Sequence, residues 1–315
     1  MFVEFKVKNL LGKIPVTSEL NLYYEQLIKA IAEKFFRFID TSNVEKIIVP
    51  DAFIADLLEY QKLINMENPS VTNNEFGRAF GKILFDKNTG KYIVFLDPAV
   101  ATFLMEDTMY NACFNSLDEE NKKSLYVARQ HALNLLAHEL AHVEFATHAI
   151  VPVVTPDYES QIESLLYHLF DEYYACRRSA VVSSEYIISY DEKYINDIEQ
   201  KTFDEKWKYK THEIELNEFC RLFHALTKQC LIGMVSVLGS LEGQKTKEQL
   251  YESCRLGFIV DDFRIEFDRM YVAFLDGNVI TMPPLLVECI NHYFDSFGVY
   301  ISKRPEGMYY DIPDE

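Results

Sequence analysis

The segment LLAHELAHVEF, residues 135–145, places two histidines four positions apart, with a glutamate directly after the first. On a helix, His138 and His142 stand one above the other on one face, so both imidazoles can bind a single tetrahedral metal ion. Glu139 lies about a third of a turn away, where its carboxylate can take a proton from water that the metal activates. The pattern indicates a zinc hydrolase, and its alternative is an ordinary helix with two core histidines.

The apolar residues of the same helix favour the metal interpretation. They form one stripe that can bury into a core, made of Leu133, Leu136, Ala137 and Leu140. The two histidines fall on another side of the helix, where a cleft can reach them. We therefore expect His138 and His142 to be metal ligands.

A catalytic zinc site takes three protein ligands and keeps one position open. His148 has the spacing of the third histidine in HExxHxxGxxH metzincins, but Phe145 occupies the position of the glycine at which that pattern turns. A straight helix would carry His148 roughly 9 Å along the axis from His142. Other candidates lie on the next predicted helix, in the segment FDEYYACRRSA and just before it: Glu172, with Asp171 and Glu163 as alternatives and His168 as a neighbour.

HExxH followed by a helix that reads E-x-x-A-x-R, here from Glu172 to Arg177, resembles the gluzincin type of zinc metallopeptidase. The chain is most similar to the compact bacterial and phage proteins of the ImmA/IrrE kind, and more distantly to the HtpX/Ste24 type, over about residues 20–185. The resemblance implies that His138, His142 and Glu172 bind Zn²⁺ and that Glu139 is the catalytic base. It also implies a metallopeptidase whose substrate is an intracellular protein or peptide.

One residue departs from that family pattern. Cys176 stands where those proteins usually carry Asp or Asn, whose side chain holds a ligand histidine by its ring N–H, and a thiol is a poor acceptor. The sequence also does not choose an oxyanion-stabilising residue among Tyr173, Tyr174, Arg177 and Arg178. The competing hypothesis is a non-catalytic zincin-like protein that binds a partner through its acidic helical C-terminal region.

Charge and composition exclude several other classes. The formal net charge of −18 repels a phosphate backbone, so we expect no nucleic-acid partner. No signal peptide is evident, and the longest apolar run, from Cys230, is short enough to be a buried helix segment, so we expect a cytoplasmic protein without a membrane span. The six cysteines form no CxxC pair and fit reduced, buried thiols.

The predicted elements give an α+β fold. In the first part, helices are expected over 21–39, 52–64, from about 118 to 145, and from 159 to about 181, with a strand over 46–50 and a hairpin of GKILFD and KYIVFLDP around an Asn/Gly turn. After a charged stretch near residue 190, helices are expected over 214–241, 247–274 and 283–297, followed by an extended acidic tail. We therefore predict a zincin-like domain over 1–190 and a mainly α-helical domain over 191–315.

Overall fold

The computed structural model describes residues 1–10, 12–74, 77–150, 155, 157–183, 190–246, 248, 250–304 and 307–313. The helices are α1 (Ser18–Phe35), α2 (Phe53–Leu63), α3 (Pro98–Ala101), α4 (Asp107–Asn115), α5 (Glu119–His148), α6 (Tyr158–Ala180), α7 (Glu192–Lys210), α8 (Leu216–Gln244), α9 (Val260–Leu275) and α10 (Pro284–Asp295). The strands are β1 (Phe2–Phe5), β2 (Asn9–Leu10), β3 (Ile14–Pro15), β4 (Val44–Val49), β5 (Asn73–Asn74), β6 (Gly77–Arg78), β7 (Gly81–Asp86), β8 (Lys91–Leu96), β9 (Tyr300–Arg304) and β10 (Gly307–Asp311). Helices with a small sheet make an α+β protein, as predicted.

The chain forms two compact units. The first consists of the described parts of Met1–His148 and Arg178–Tyr186, and the second of the described parts of Ala149–Arg177 and Ile187–Glu315. Helix α6 contributes residues to both units. The domain boundary near residue 190, inferred from composition, stays a prediction.

A four-stranded sheet organises the first unit, in the order β1-β4-β8-β7. The predicted hairpin is confirmed, because β7 and β8 pair antiparallel from Gly81 opposite Leu96 to Asp86 opposite Lys91. Its turn uses Gly90 at φ +68°, a conformation that costs glycine little, and the Gly90 N–H donates to the Asp86 carbonyl at 2.8 Å. Strand β7 therefore lies at an edge of this sheet, next to α5.

Helix α5 carries the histidine pair and is confirmed as one long helix. Asp118 begins it, because its carboxylate accepts the Asn121 N–H at 2.9 Å as a helix cap. Three residues of the predicted apolar stripe, Leu136, Ala137 and Leu140, are fully buried in the core, whereas Leu133 and the two histidines keep partial exposure. The stripe thus fixes the rotation of the helix and turns the histidines away from the core.

Helix α8 runs through the core of the second unit. It is long and apolar enough to cross a membrane by length and composition, but 67% of its most apolar window is buried inside the protein. Gly233, Ser236 and Gly239, spaced three residues apart, and Ser240 directly after Gly239 interrupt its large side chains. At Gly239 the missing side chain lets the backbone of α6 approach closely, because an added Cβ would lie 2.4 Å from the Tyr173 carbonyl oxygen.

Helix α7 was not anticipated from the sequence, which read there as a charged stretch. Its buried face contains polar as well as apolar side chains, so no apolar stripe marks it: Ile195, Ile198, Glu199, Thr202 and Glu205. Glu199 tolerates burial because its carboxylate accepts the backbone N–H groups of Arg255 and Leu256, each at 3.0 Å. Hydrophobic periodicity does not predict a buried helix face when one of its residues is a carboxylate paired with a distant chain segment.

Two predictions for the C-terminal region were wrong in part. The helix expected from 247, a residue outside those described, begins at Val260 after a short 3-10 helix, Arg255–Ile259. Tyr251 has φ +59°, and a Cβ at Gly257 would lie 2.3 Å from the Tyr251 carbonyl oxygen, so the chain bends tightly there and cannot continue as a helix. The expected extended tail instead forms a hairpin, in which β10 pairs antiparallel with β9.

Candidate metal centre

The two histidines of α5 face each other. Nε2 of His138 lies 3.0 Å from Nε2 of His142, and the two rings are perpendicular, with centroids 4.5 Å apart. In a tetrahedral zinc site with Zn–N bonds of about 2.0–2.1 Å, two ligand nitrogens are about 3.3 Å apart. The pair is therefore close to the arrangement that one metal ion requires.

Glu172 of α6 completes the group. One ligand atom from each of His138, His142 and Glu172 lies within 4.8 Å of the other two, and this is the group of three metal-ligating side chains that the described part of the chain contains. The donor set of two imidazoles and one carboxylate matches that of catalytic zinc sites with three protein ligands. The residues present thus fit a metal ion, while the identity of the ion stays a prediction.

Ser236 of α8 holds the Glu172 carboxylate, and the sequence gave no reason to single it out. Its Oγ donates to Glu172 Oε1 at 3.0 Å and also lies 2.8 Å from the Ile232 carbonyl oxygen. A hydrogen bond to a carboxylate restricts its rotation. The row of small residues on α8 is the sequence signal that could have drawn attention to Ser236.

Close packing of α8 on α6 places that serine. A Cβ added at Gly239 would lie 2.4 Å from the Tyr173 carbonyl oxygen and 3.0 Å from the Cys176 Cβ. Only glycine allows the backbones to come this close. Gly239 therefore sets the distance between Ser236 and Glu172.

Cys176 lies one turn after Glu172 and contacts it. Its Sγ is 3.5 Å from Glu172 Oε1. Complete burial and the neighbouring Glu172 carboxylate raise the pKa of this thiol well above its ordinary value, so the sulfur keeps its proton and can donate to the carboxylate. At the position where the resembling families carry Asp or Asn, this chain thus has a neutral group beside the carboxylate of the candidate ligand Glu172.

Glu139 lies against the edge strand of the first unit. Its side chain is 6% exposed, and a Cβ at Gly81, the first residue of β7, would be 2.3 Å from Glu139 Oε1. Glycine at this position therefore makes room for the carboxylate at the start of the strand. The HExxH glutamate and the edge of the sheet are adjacent.

His148, the metzincin-type alternative, is directed elsewhere. Helix α5 continues without a turn through Phe145, which is 1% exposed, and ends at His148. There the His148 Nε2 lies 2.8 Å from Asp40 Oδ2. The prediction of a helix-end residue is confirmed, because α5 ends at His148 and the group formed by His138, His142 and Glu172 does not include it.

The other acidic alternatives and the oxyanion candidates are accounted for. Glu163 and His168 are exposed and Asp171 is half-buried, and the group of three does not include them.

The four oxyanion candidates have other contacts. Arg177 donates to Tyr173 Oη at 2.8 Å and to Asp268 at 2.6 Å. Tyr174 is fully buried and packs against Phe274, and Arg178 binds Glu144 through Nε and Nη2 at 2.8 and 3.0 Å. The contacts given for Tyr173, Tyr174, Arg177 and Arg178 are thus hydrogen bonds, ion pairs and ring packing.

A row of polar residues extends along α5 from the histidine pair toward the helix N-terminus. His131, Asn134, His138 and His142 recur at spacings of three and four and so share one face. His131 packs edge-on against Phe80, with ring centroids 5.6 Å apart, and burial lowers its pKa, which favours the neutral imidazole. Asn134, only 5% exposed, was not singled out from the sequence.

Comparison of the chain with models of known protein families, with curated proteins and with solved structures finds no match in any of the three. The gluzincin resemblance therefore depends on the residues named above and stays a prediction.

Proposed function

We propose that this chain is a zinc-dependent metallopeptidase that hydrolyses a peptide bond in an intracellular protein. The observation that carries the proposal is the grouping of His138, His142 and Glu172 within 4.8 Å, on a helix that also carries Glu139. Two imidazoles and one carboxylate suit zinc better than the oxygen-binding cations. Three protein ligands leave the open position that catalysis needs and that a structural site fills with a fourth ligand.

In this proposal each residue has a distinct task. Zinc, when bound, acts as a Lewis acid on the scissile carbonyl and lowers the pKa of water. Glu139 accepts the proton of the attacking water and then donates it to the leaving amine. Ser236 keeps the Glu172 carboxylate oriented, because its hydroxyl donates to Oε1 at 3.0 Å.

The edge strand β7 offers a binding mode for the substrate. It pairs with β8 on one side only within the four-stranded sheet, and its first residue, Gly81, adjoins Glu139. An extended peptide that adds to this edge would be held by main-chain hydrogen bonds, which tolerate many sequences. Such a peptide would pass beside the proposed base.

Metal content is the first experiment. We expect about one zinc per chain in protein purified without a metal-affinity tag and analysed by plasma mass spectrometry. His142→Ala and Glu172→Gln should reduce the zinc content. The matched controls are His148→Ala and Glu163→Gln, which change a histidine on the same helix and an exposed glutamate on α6 and should keep the metal. A wild-type protein that takes up no zinc would refute the proposal.

Catalysis requires a second measurement, because a non-catalytic zincin-like protein would also bind zinc. Glu139→Gln should retain zinc and lose about 10²- to 10⁴-fold in the rate of peptide-bond cleavage, the usual contribution of a general base. Candidate substrates are identified by comparing cleavage products from wild-type and Glu139→Gln protein. Equal products from both proteins, with zinc present in both, would favour the non-catalytic partner-binding alternative.

A further inference from the structure

Arg78 is a cation that a buried carboxylate holds just before the proposed substrate strand β7. Its Nη2 donates to Asp97 Oδ2 at 2.6 Å, and Asp97 is 1% exposed. The other oxygen of that carboxylate accepts the Ala99 N–H at 2.8 Å, so both oxygens of Asp97 are held in place. A charge-assisted hydrogen bond to such a partner gives the guanidinium a defined position.

The guanidinium also has an accessible side. The Arg78 side chain is 49% exposed, and its Cζ lies 5.7 Å from the centre of the Phe80 ring. Phe80 in turn packs edge-on against His131 of α5, with ring centroids 5.6 Å apart. A guanidinium carries several N–H donors in one plane, so the exposed part of Arg78 can bind a second carboxylate beside Asp97.

Arg78 and the proposed base lie within reach of one extended peptide. Arg78 is three residues from Gly81, hence at most about 11 Å away, and a Cβ at Gly81 would be 2.3 Å from Glu139 Oε1. The Asp97 N–H donates to the Phe80 carbonyl at 2.7 Å, which continues the β7–β8 pairing from Gly81 toward Arg78. A peptide added to the edge of β7 advances about 3.3 Å per residue, so a peptide bond beside Glu139 has Arg78 about three or four residues away.

The charge of the chain makes a local cation selective. The formal net charge is −18, so an acidic peptide is repelled at long range and needs a positive group at the binding site. An arginine offers an acidic side chain two parallel N–H···O bonds and repels a basic one. Arg78 therefore favours one charge type in a peptide that passes it.

We propose that Arg78 is a specificity-determining residue that binds the carboxylate of an Asp or Glu side chain of the substrate, about three or four residues from the scissile bond. The inference rests on the proposed function and names its substrate class, an extended peptide with an acidic residue at that distance. The acidic residue lies on only one side of the scissile bond, because β7 runs from Gly81 away from Arg78. Arg78 does not touch the reacting atoms.

The test begins with a cleavage profile of the zinc-loaded full chain on a synthetic library of random peptides. Asp and Glu should be enriched at one position, about three or four residues to one side of the cleaved bond. A peptide that wild type cleaves and Glu139→Gln does not is then resynthesised with Glu, Gln or Lys at that position. We expect kcat/KM to be about 3- to 10-fold higher for the Glu peptide than for the Gln peptide, and lowest for the Lys peptide.

Three variants separate recognition from a structural role. Arg78→Gln should bring the Glu-to-Gln ratio of kcat/KM close to unity, through a higher KM for the Glu peptide. Arg78→Lys keeps the charge without the planar fork and should retain part of the ratio. Lys87→Gln is the matched control, because it removes an exposed positive charge at the hairpin turn, and it should keep the wild-type ratio. A ratio compares two peptides on one protein, so a loss of stability alone does not change it.

Each contrary outcome has a defined meaning. Cleavage without an acidic preference, or an unchanged ratio in Arg78→Gln, would overturn this inference and leave the proposed function standing. An equal loss of the ratio in Lys87→Gln would show that overall charge and not contact with Arg78 sets the preference, which also overturns the inference. If zinc-loaded wild type and Glu139→Gln give the same products, the proposed function fails and this inference fails with it.

Discussion

Replacing Gly239 by alanine tests whether close packing of α8 on α6 holds the Glu172 carboxylate. The added Cβ would lie 2.4 Å from the Tyr173 carbonyl oxygen, whereas ordinary contact begins at 3.4 Å. Because the obstacle is backbone, the two helices must separate by about 1 Å to accept the methyl group. The Ser236–Glu172 hydrogen bond, now 3.0 Å, would lengthen to about 4 Å and be lost.

That loss sets the size of the effect. A hydrogen bond to a charged group contributes about 1.5–3 kcal/mol, so zinc affinity should fall about 10- to 100-fold. The free energy of unfolding of the metal-free protein should change less. Alanine gains about 1 kcal/mol of helix propensity over glycine, and the steric conflict costs about 1–3 kcal/mol. The expected net result is a loss of about 0–2 kcal/mol.

Chelator competition and urea unfolding measure the two quantities, with two companion variants. Gly233→Ala is the matched control on the same helix, because its Cβ would meet only side-chain atoms, at 3.3 Å and beyond, and it should keep zinc affinity. Ser236→Ala removes the hydroxyl directly and should reproduce the loss of affinity. If Gly239→Ala binds zinc like wild type and is stabilised as much as Gly233→Ala, the packing does not control the carboxylate.

Three further predictions concern stability. Arg178→Met removes the two-point partner of the buried Glu144 carboxylate, which keeps the Asp40 N–H at 2.8 Å, and should cost about 3–5 kcal/mol in urea unfolding. Adding Glu144→Leu should return only part of this loss, because the Asp40 N–H then loses its acceptor. No loss in the single variant would contradict this prediction. Thr102→Val should raise the free energy of unfolding by about 1 kcal/mol and should not lower the melting temperature. The reason is that Thr102 Oγ1 is buried with no partner in the described residues. A clear drop in the melting temperature would show that this hydroxyl has a hydrogen-bond partner. Burial lowers the pKa of His224 below its ordinary 6.5, so the unfolded chain takes up this proton first and stability should fall as the pH drops below 6.5. His224→Gln should flatten the urea midpoint between about pH 7 and pH 5, and an unchanged slope would count against it.

Most of the histidine helix could be predicted from the sequence. Leu136, Ala137 and Leu140 recur with the helical period and face the core, and this fixes the side to which His138 and His142 turn. Periodicity works for α5 because apolar burial drives it. The hairpin was predictable for a different reason, because a glycine between two β-rich runs indicates a turn. In the structure Gly90 has φ +68°, a conformation that favours glycine.

The supporting residues could not be predicted in the same way. Ser236 lies 64 residues after Glu172, and only the packing of α8 on α6 brings them together. Glu199 makes α7 look solvated because its partners, two backbone N–H groups, belong to a distant segment. Tertiary pairing of polar groups leaves little trace in local sequence.

The neutral thiol beside Glu172 has a consequence for oxidative stress. Many zinc sites release their metal when peroxide oxidises a thiolate ligand, because the thiolate is the reactive form of cysteine. The proposed ligands here are two imidazoles and a carboxylate, and burial keeps the nearby Cys176 protonated. The site therefore contains a sulfur atom only in the thiol form, which reacts poorly with oxidants, and a metal bound by the proposed ligands would stay bound under oxidising conditions that release zinc from thiolate sites.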